Sequence, residues 1–277
     1  MTSNLHVICI DDQEDFVNPN GALYVPGANE NVKRAAKMIE RLTPLITDIH
    51  LTMDSHHKWD ISHPRMWCDE KGVSPPPITG VVLDGDQPMF LNYKTGAKTP
   101  ARARILGMQP KLVAYLKALA ASGRYPHTIW PEHCLIGDPG HNIAPVLSAA
   151  VHEWEEKRNG MSDVVTKGSN PFTEHFSAVK AEVPDNDDPS TQINHRLIKA
   201  LGEADMLVWV GEALSHCLAN TFRDVVANFP DPSYIKKMWL CTDGTSNVEH
   251  FEKYGEDFIK EMKALGMNLT TTTDFLA

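Results

Sequence analysis

Short apolar runs, each about the length of one buried strand, alternate along this chain with stretches whose apolar positions recur every three to four residues. The runs at 5–10, 46–53, 127–130, 163–167, 206–211 and 235–241 read as strands. Helical spacing covers 29–42, where Val32, Ala35, Ala36, Ile39 and Leu42 form one stripe. It returns over 110–122, 143–157, 191–201, 216–229 and 248–265. The 110–122 segment opens on a proline and stops before Gly123, as helix punctuation requires. A last strand is expected near 268–272. Alternation of this kind implies βαβ units and an α/β fold built on a mainly parallel sheet.

One stretch breaks the rhythm. Residues 67–104 hold three consecutive prolines, several glycines, and two apolar runs at 78–83 and 88–93 around Asp84-Gly85-Asp86. An Asp-Gly turn between apolar segments signals a hairpin. The expectation is a single domain over 1–277 with a hairpin-bearing insertion at about 67–104, on the rim of the sheet.

Composition narrows the classes of function. With 42% hydrophobic residues in 277, the chain can bury a sizeable core. Basic residues number 26 against 36 acidic, a formal charge of −10 with no basic stripe, which argues against a nucleic-acid partner. No apolar run approaches membrane-spanning length, so no membrane partner is expected either. The five cysteines are scattered without a CxxC, which suits reduced thiols rather than a disulfide framework. A cytoplasmic location follows as the expectation, with a homo-oligomer left open.

The candidate chemistry sits at strand ends. Asp11 closes the first run, Asp54 the second, His133 follows the third, Lys167 ends the fourth, and Cys217 lies just past the fifth. Carboxyl ends of parallel strands form one rim, where ligands bind. Side chains far apart in sequence would thus converge on a single crevice. Cys217 opens a helix after a tight turn, and a helix N-terminus beside a cation lowers a thiol from its ordinary value near 8.5. A small buried cysteine fits the same position. Asp11 and Lys167 would add a proton acceptor and a cation, as amide hydrolysis requires, or form a buried ion pair without catalysis. Asp54-Ser55-His56 with His133 presents a carboxylate and two imidazoles, a set suited to zinc, iron or manganese. His57, His63 and His141 lie near in sequence and could join or support that set, although they read more simply as exposed or capping residues.

These segments resemble the isochorismatase-like cysteine hydrolases. Asp11-Asp12-Gln13-Glu14-Asp15-Phe16 is similar to the family's opening. Asp54-Ser55-His56 and Trp130-Pro131-Glu132-His133-Cys134 resemble the metal segments of the nicotinamidase branch. Lys167-Gly168 and Gly211-Glu212-Ala213-Leu214-Ser215-His216-Cys217 resemble the lysine segment and the nucleophile turn. The resemblance spans about residues 5–230. It implies a three-layer α/β/α fold with a doubly wound sheet of about six strands and an Asp11–Lys167–Cys217 triad. It also implies an oxyanion hole from the Ala213 and Cys217 N–H groups, with a cis Glu212–Ala213 peptide. Asp54, His56 and His133 would hold one divalent ion, zinc first among the candidates. Phe16 and Trp130 would wall a pocket for a flat ring. Glu212, Leu214 and His216 depart from the commonest form of the turn.

The activity so implied is hydrolysis of nicotinamide to nicotinate and ammonia through a cysteine thioester. The same residues also suit another small carboxamide or ureido hydrolase, or a catalytically silent binding protein on the same fold.

Overall fold

The computed structural model describes residues 4–277. Twelve strands follow in chain order: β1 Leu5–Ile10, β2 Ile46–Asp54, β3 Trp67–Cys68, β4 Thr79–Asp84, β5 Gln87–Leu91, β6 Lys98–Pro100, β7 Arg102–Ala103, β8 His127–Ile129, β9 Asp163–Lys167, β10 Met206–Gly211, β11 Met238–Cys241 and β12 Asn268–Thr270. The helices are α1 Glu14–Val17, α2 Ala28–Leu42, α3 Gln109–Ser122, α4 Pro145–Arg158, α5 His195–Gly202, α6 Cys217–Asn228 and α7 Glu252–Leu265.

Six strands form the central sheet in the order β12-β11-β10-β1-β2-β9, every pair parallel. The period of two in β1 sorts its side chains between two cores. Leu5, Val7 and Cys9 pack with Val32, Ala35, Ile39, Leu147 and Trp154 of α2 and α4. Ile8 and Ile10 pack with Leu197, Leu218, Phe222 and Phe258 of α5, α6 and α7. The result is the expected three-layer α/β/α sandwich. The chain builds outward from β1 through β2 to β9, then returns to place β10 on the other side of β1. That reversal opens a crevice at the carboxyl ends of β1 and β10.

Two expectations change. The run at 127–130 is a strand, but β8 pairs antiparallel with β4 in a separate four-stranded sheet, β6-β5-β4-β8. The position beside β2 belongs to β9. The sixth central strand is instead β12. The hairpin forms as β4 and β5, turning at Gly85 with φ 58. The excursion carries more structure than its proline content suggests. Trp67, Val81, Phe90 and Ala103 join Leu112, Tyr115 and Leu116 of α3 and Ile129 of β8 in a third core.

His133 still reaches the rim, by another route. The Trp130 N–H donates to the Ser62 carbonyl at 2.7 Å, and His56 N–H donates to the Cys134 carbonyl at 3.0 Å. These bonds dock the segment after β8 against the end of β2.

Candidate active site

β1 runs into Asp11, whose backbone takes the left-handed conformation at φ 48. Its N–H donates to Thr52 Oγ1 at 3.0 Å, and the Thr52 hydroxyl donates back to Asp11 Oδ1. A residue on β2 thereby fixes the carboxylate at the end of β1. Lys167 at the end of β9 is 3% exposed, so its ammonium depends on protein partners rather than water. Its Nζ lies 2.9 Å from Asp11 Oδ2, 3.1 Å from Asp54 Oδ1 and 3.6 Å from Cys217 Sγ. Gly168 follows with φ 88, and a Cβ there would come within 2.7 Å of Asp54 Oδ1. Only glycine lets the chain leave β9 this close to that carboxylate.

The turn that leads into Cys217 is held from behind. The cis Glu212–Ala213 peptide is present. The Glu212 carboxylate accepts from Asn31 Nδ2 at 2.8 Å and from the Ser246 N–H at 2.9 Å, which ties the turn to α2 and to the loop after β11. Cys217 is the first residue of α6. Among the described residues, the Ala213 and Cys217 N–H groups have no protein acceptor.

The electrostatics correct one expectation. Burial pushes the Cys217 thiol well above its ordinary value, and the pull of Lys167 in the other direction is weaker. Burial likewise raises Asp11 against the pull of Lys167. A carboxyl raised in this way is a stronger base than a free aspartate. Burial opposes the charge on Lys167 as well, but Asp11, Asp54 and Cys217 together hold it well above the usual lysine range. Burial thus disfavours the thiolate of Cys217, which lies beside the close Asp11–Lys167 pair.

A second cluster borders the first. Asp54 Oδ2 lies 3.1 Å from His56 Nε2 and 3.5 Å from His133 Nε2. His56 Nδ1 is 3.0 Å from Asp60 Oδ2, and His133 Nδ1 is 2.8 Å from the Pro131 carbonyl, so each ring turns its Nε2 inward. His63 joins them, against the expectation of an exposed or capping residue. It is 0% exposed, neither of its ring nitrogens has a partner, and one of them falls within 4.8 Å of ligand atoms on both His56 and His133. Unpartnered imidazole nitrogens crowded together in the interior are what a divalent ion would satisfy. The donor set fits zinc. His57 is exposed, and His141 lies against Ser55, its Nε2 2.8 Å from the hydroxyl.

Phe16 and Trp130 line the pocket above both clusters, with Phe176, His216, Val248 and Glu174 completing its walls. Sequence reasoning weighed His63 only as a secondary candidate for the metal set and missed Glu174 and Phe176. All three sit in irregular segments, where no periodicity marks an inward direction. Glu174 accepts from Ser62 Oγ at 2.7 Å and faces the pocket beside Asp54 and His133.

Several histidines are buried without charge. Burial lowers His127 to about 4 and both His175 and His216 to about 3. An unfolded imidazole takes up a proton below about 6.5, whereas these folded ones do not until pH 4 or 3. Their contribution to stability is thus complete above pH 6.5 and is lost as pH falls toward 4. The three together should cost roughly 4 kcal/mol at pH 5.5 relative to neutral pH. His56, raised by Asp54 and Asp60 against its burial, has its full effect below pH 6.5 and loses it as pH rises, which offsets about 1 kcal/mol of that loss between pH 7.5 and 5.5. Urea unfolding of metal-free parent and His127→Gln protein at pH 7.5 and 5.5 isolates one ring: the parent should lose about 1.3 kcal/mol more than the variant, and equal losses would show that His127 is charged in the fold.

No protein-family model matches the chain. A curated nicotinamidase of Escherichia coli (strain K12) is 23% identical over 269 residues, 97% of this chain and 95% of that protein. The solved yeast nicotinamidase aligns over 96% of this chain and 99% of its own, with a TM-score of 0.63 at 17% identity. The pyrazinamidase of Pyrococcus horikoshii, solved in complex with zinc, aligns over 97% and 99% with a TM-score of 0.53 at 17% identity. Sequence and fold together bear out the resemblance to the isochorismatase-like cysteine hydrolases of the nicotinamidase branch.

Proposed function

We propose that this chain is a metal-assisted cysteine amidohydrolase that converts nicotinamide and water to nicotinate and ammonia. One observation carries the reading. Cys217 lines a pocket together with Asp54 and His133 of the histidine cluster, and behind it Lys167 Nζ lies 3.6 Å from the sulfur and 2.9 Å from the Asp11 carboxylate. The similarity to nicotinamidases supports the choice of amide.

Asp11 takes the proton of Cys217 as the sulfur attacks the carboxamide carbon. The carbonyl electron pair moves onto oxygen, where the Ala213 and Cys217 N–H groups receive it. Asp11 passes its proton to the nitrogen, the C–N bond breaks, and ammonia leaves a thioester on Cys217. Water then attacks the thioester carbon while Asp11 again accepts a proton. The C–S bond breaks, nicotinate departs, and the thiol recovers its hydrogen. Lys167 stays protonated throughout and holds Asp11 in line.

Asp54, His56, His63 and His133 would hold a zinc-class ion, which supplies a positive centre for the ring nitrogen of the substrate. Phe16 and Trp130 would hold the ring plane, and the buried apolar walls keep bulk water from the sulfur.

Ammonia release from a panel of small amides and ureido compounds, with and without a chelator, tests the proposal. Nicotinamide should be the fastest substrate, and chelation should raise its KM until Zn2+ is restored. Hydrolysis of other amides with nicotinamide inert would shift the reading to a related carboxamide or ureido hydrolase. Release from no compound would favour a silent binding protein.

A further inference from the structure

The Asp-x-His spacing that begins the cluster at the end of β2 occurs twice on that strand. Asp48-Ile49-His50 precedes Asp54-Ser55-His56 by six residues, an even step that keeps both pairs on one face. The two lie about 20 Å apart along an extended strand, too far to share an ion. The proposed reaction uses only the second pair.

The first pair is assembled in the same way as the second. His50 is 1% exposed, and its Nδ1 lies 3.1 Å from Asp163 Oδ2 at the start of β9. That carboxylate fixes Nδ1 as the protonated nitrogen and leaves the Nε2 lone pair facing inward. His6 Nδ1 from β1 is 3.0 Å from this Nε2, and Asp48 Oδ2 is 3.8 Å from it. The three atoms lie within 4.8 Å of one another. In both clusters a carboxylate holds the outer nitrogen of a strand-borne histidine. A second carboxylate, two residues earlier, faces its inner nitrogen, and an imidazole from another segment completes the set.

A hydrogen bond from His6 to His50 accounts for the 3.0 Å separation, but it gives Asp48 Oδ2 no part. Donors bound to one tetrahedral zinc ion at 2.0–2.1 Å sit about 3.3 Å apart. The observed 3.0 and 3.8 Å lie on either side of that spacing and within about half an ångström of it, and the third separation, His6 to Asp48, is within 4.8 Å and would close as the partly exposed Asp48 side chain turns in. The Asp48 side chain is 34% exposed, which gives an ion a way in and leaves room for bound water. Arg196 does not occupy the site, because it pairs with the other Asp163 oxygen at 2.6 Å.

From this geometry we infer that His6, Asp48 and His50 form a second cation site, which takes a borderline divalent ion of the zinc class through two imidazole nitrogens and one carboxylate oxygen. Imidazole donors disfavour Mg2+ and Ca2+ there. The ion would join β1 to β2 where their register shifts between Leu5 and His6. Its role would be structural, stabilising the fold by binding it and not the unfolded chain.

The test is zinc stoichiometry on the full chain, stripped of metal, loaded with Zn2+ and passed through gel filtration. The wild type should retain two equivalents, and His50→Gln and Asp48→Asn should each retain one while keeping amide hydrolysis. Asp54→Asn should lose the other equivalent. Two equivalents in a folded His50→Gln or Asp48→Asn variant would overturn the inference. So would a wild type that binds no zinc, or a single equivalent lost with Asp54→Asn. Should His50→Gln fail to fold, the exposed Asp48→Asn change decides. A single wild-type equivalent abolished by Asp48→Asn would uphold this site and remove the ion from the Asp54 cluster instead.

Discussion

Cys217→Ala is expected to reduce nicotinamide turnover by about 10^4-fold or more while the protein stays folded. The sulfur lies at the base of the pocket, 8% exposed, so its removal deletes the nucleophile and little packing. The stability cost should be about 1 kcal/mol. Burial raises the Cys217 thiol, so no free thiolate waits for substrate. On the proposed mechanism Asp11 is the base, so the acid limb of the rate should lie above the ordinary aspartate value, because burial raises Asp11 too. Initial rates across pH check both points. Wild-type turnover in the alanine variant would remove Cys217 from the chemistry.

Lys167→Met should be as damaging to the fold as to the reaction. Its ammonium is buried between two carboxylates, at 2.9 Å from Asp11 and 3.1 Å from Asp54. Removing one partner of a buried pair leaves uncompensated charge, at a cost of about 3–5 kcal/mol. Neither oxygen facing Lys167 has another hydrogen-bond partner among the described residues, so nothing nearby replaces the lysine. Turnover should fall with it, because Asp11 would take up a proton and cease to act as a base. Lys253, an exposed partner of Asp257, is the control, and Lys253→Met should change neither stability nor turnover measurably. Urea unfolding of both variants decides, and equal midpoints would show that Lys167 does not compensate the buried acids.

The sequence exposed features that are local in origin. The stripe in α2 and the apolar runs of β1 and β10 are set by neighbouring positions, so their spacing declares them. Helix starts were less visible. Expected starts at 191 and 248 move to His195 and Glu252, because a 3-10 turn at Pro189–Thr191 and a loop take the preceding residues. α1 spans four residues and is too short to show a period. Strand partners are a non-local property, and no pattern within 127–130 says that β4 rather than β2 lies beside it.

The same division governs the site. Asp11, Lys167 and Cys217 could be found because each ends or follows a strand of the parallel sheet. His133 reaches the same rim although its strand belongs elsewhere, since backbone bonds with Ser62 and His56 bring its segment there. His63 reaches the histidine cluster and Glu174 the pocket from irregular chain, where direction is set by packing alone. The electrostatic error has a similar origin. A helix N-terminus and a lysine are visible in sequence, but the burial that outweighs them is not.

The most direct measurement is rapid-quench mass spectrometry of the zinc-loaded protein mixed with excess nicotinamide. A nicotinoyl group should appear on the peptide carrying Cys217 within the first turnover, and the Cys217→Ala protein should carry none. Steady ammonia release with no acyl group on that peptide, in a protein whose alanine variant turns over equally fast, would contradict the account.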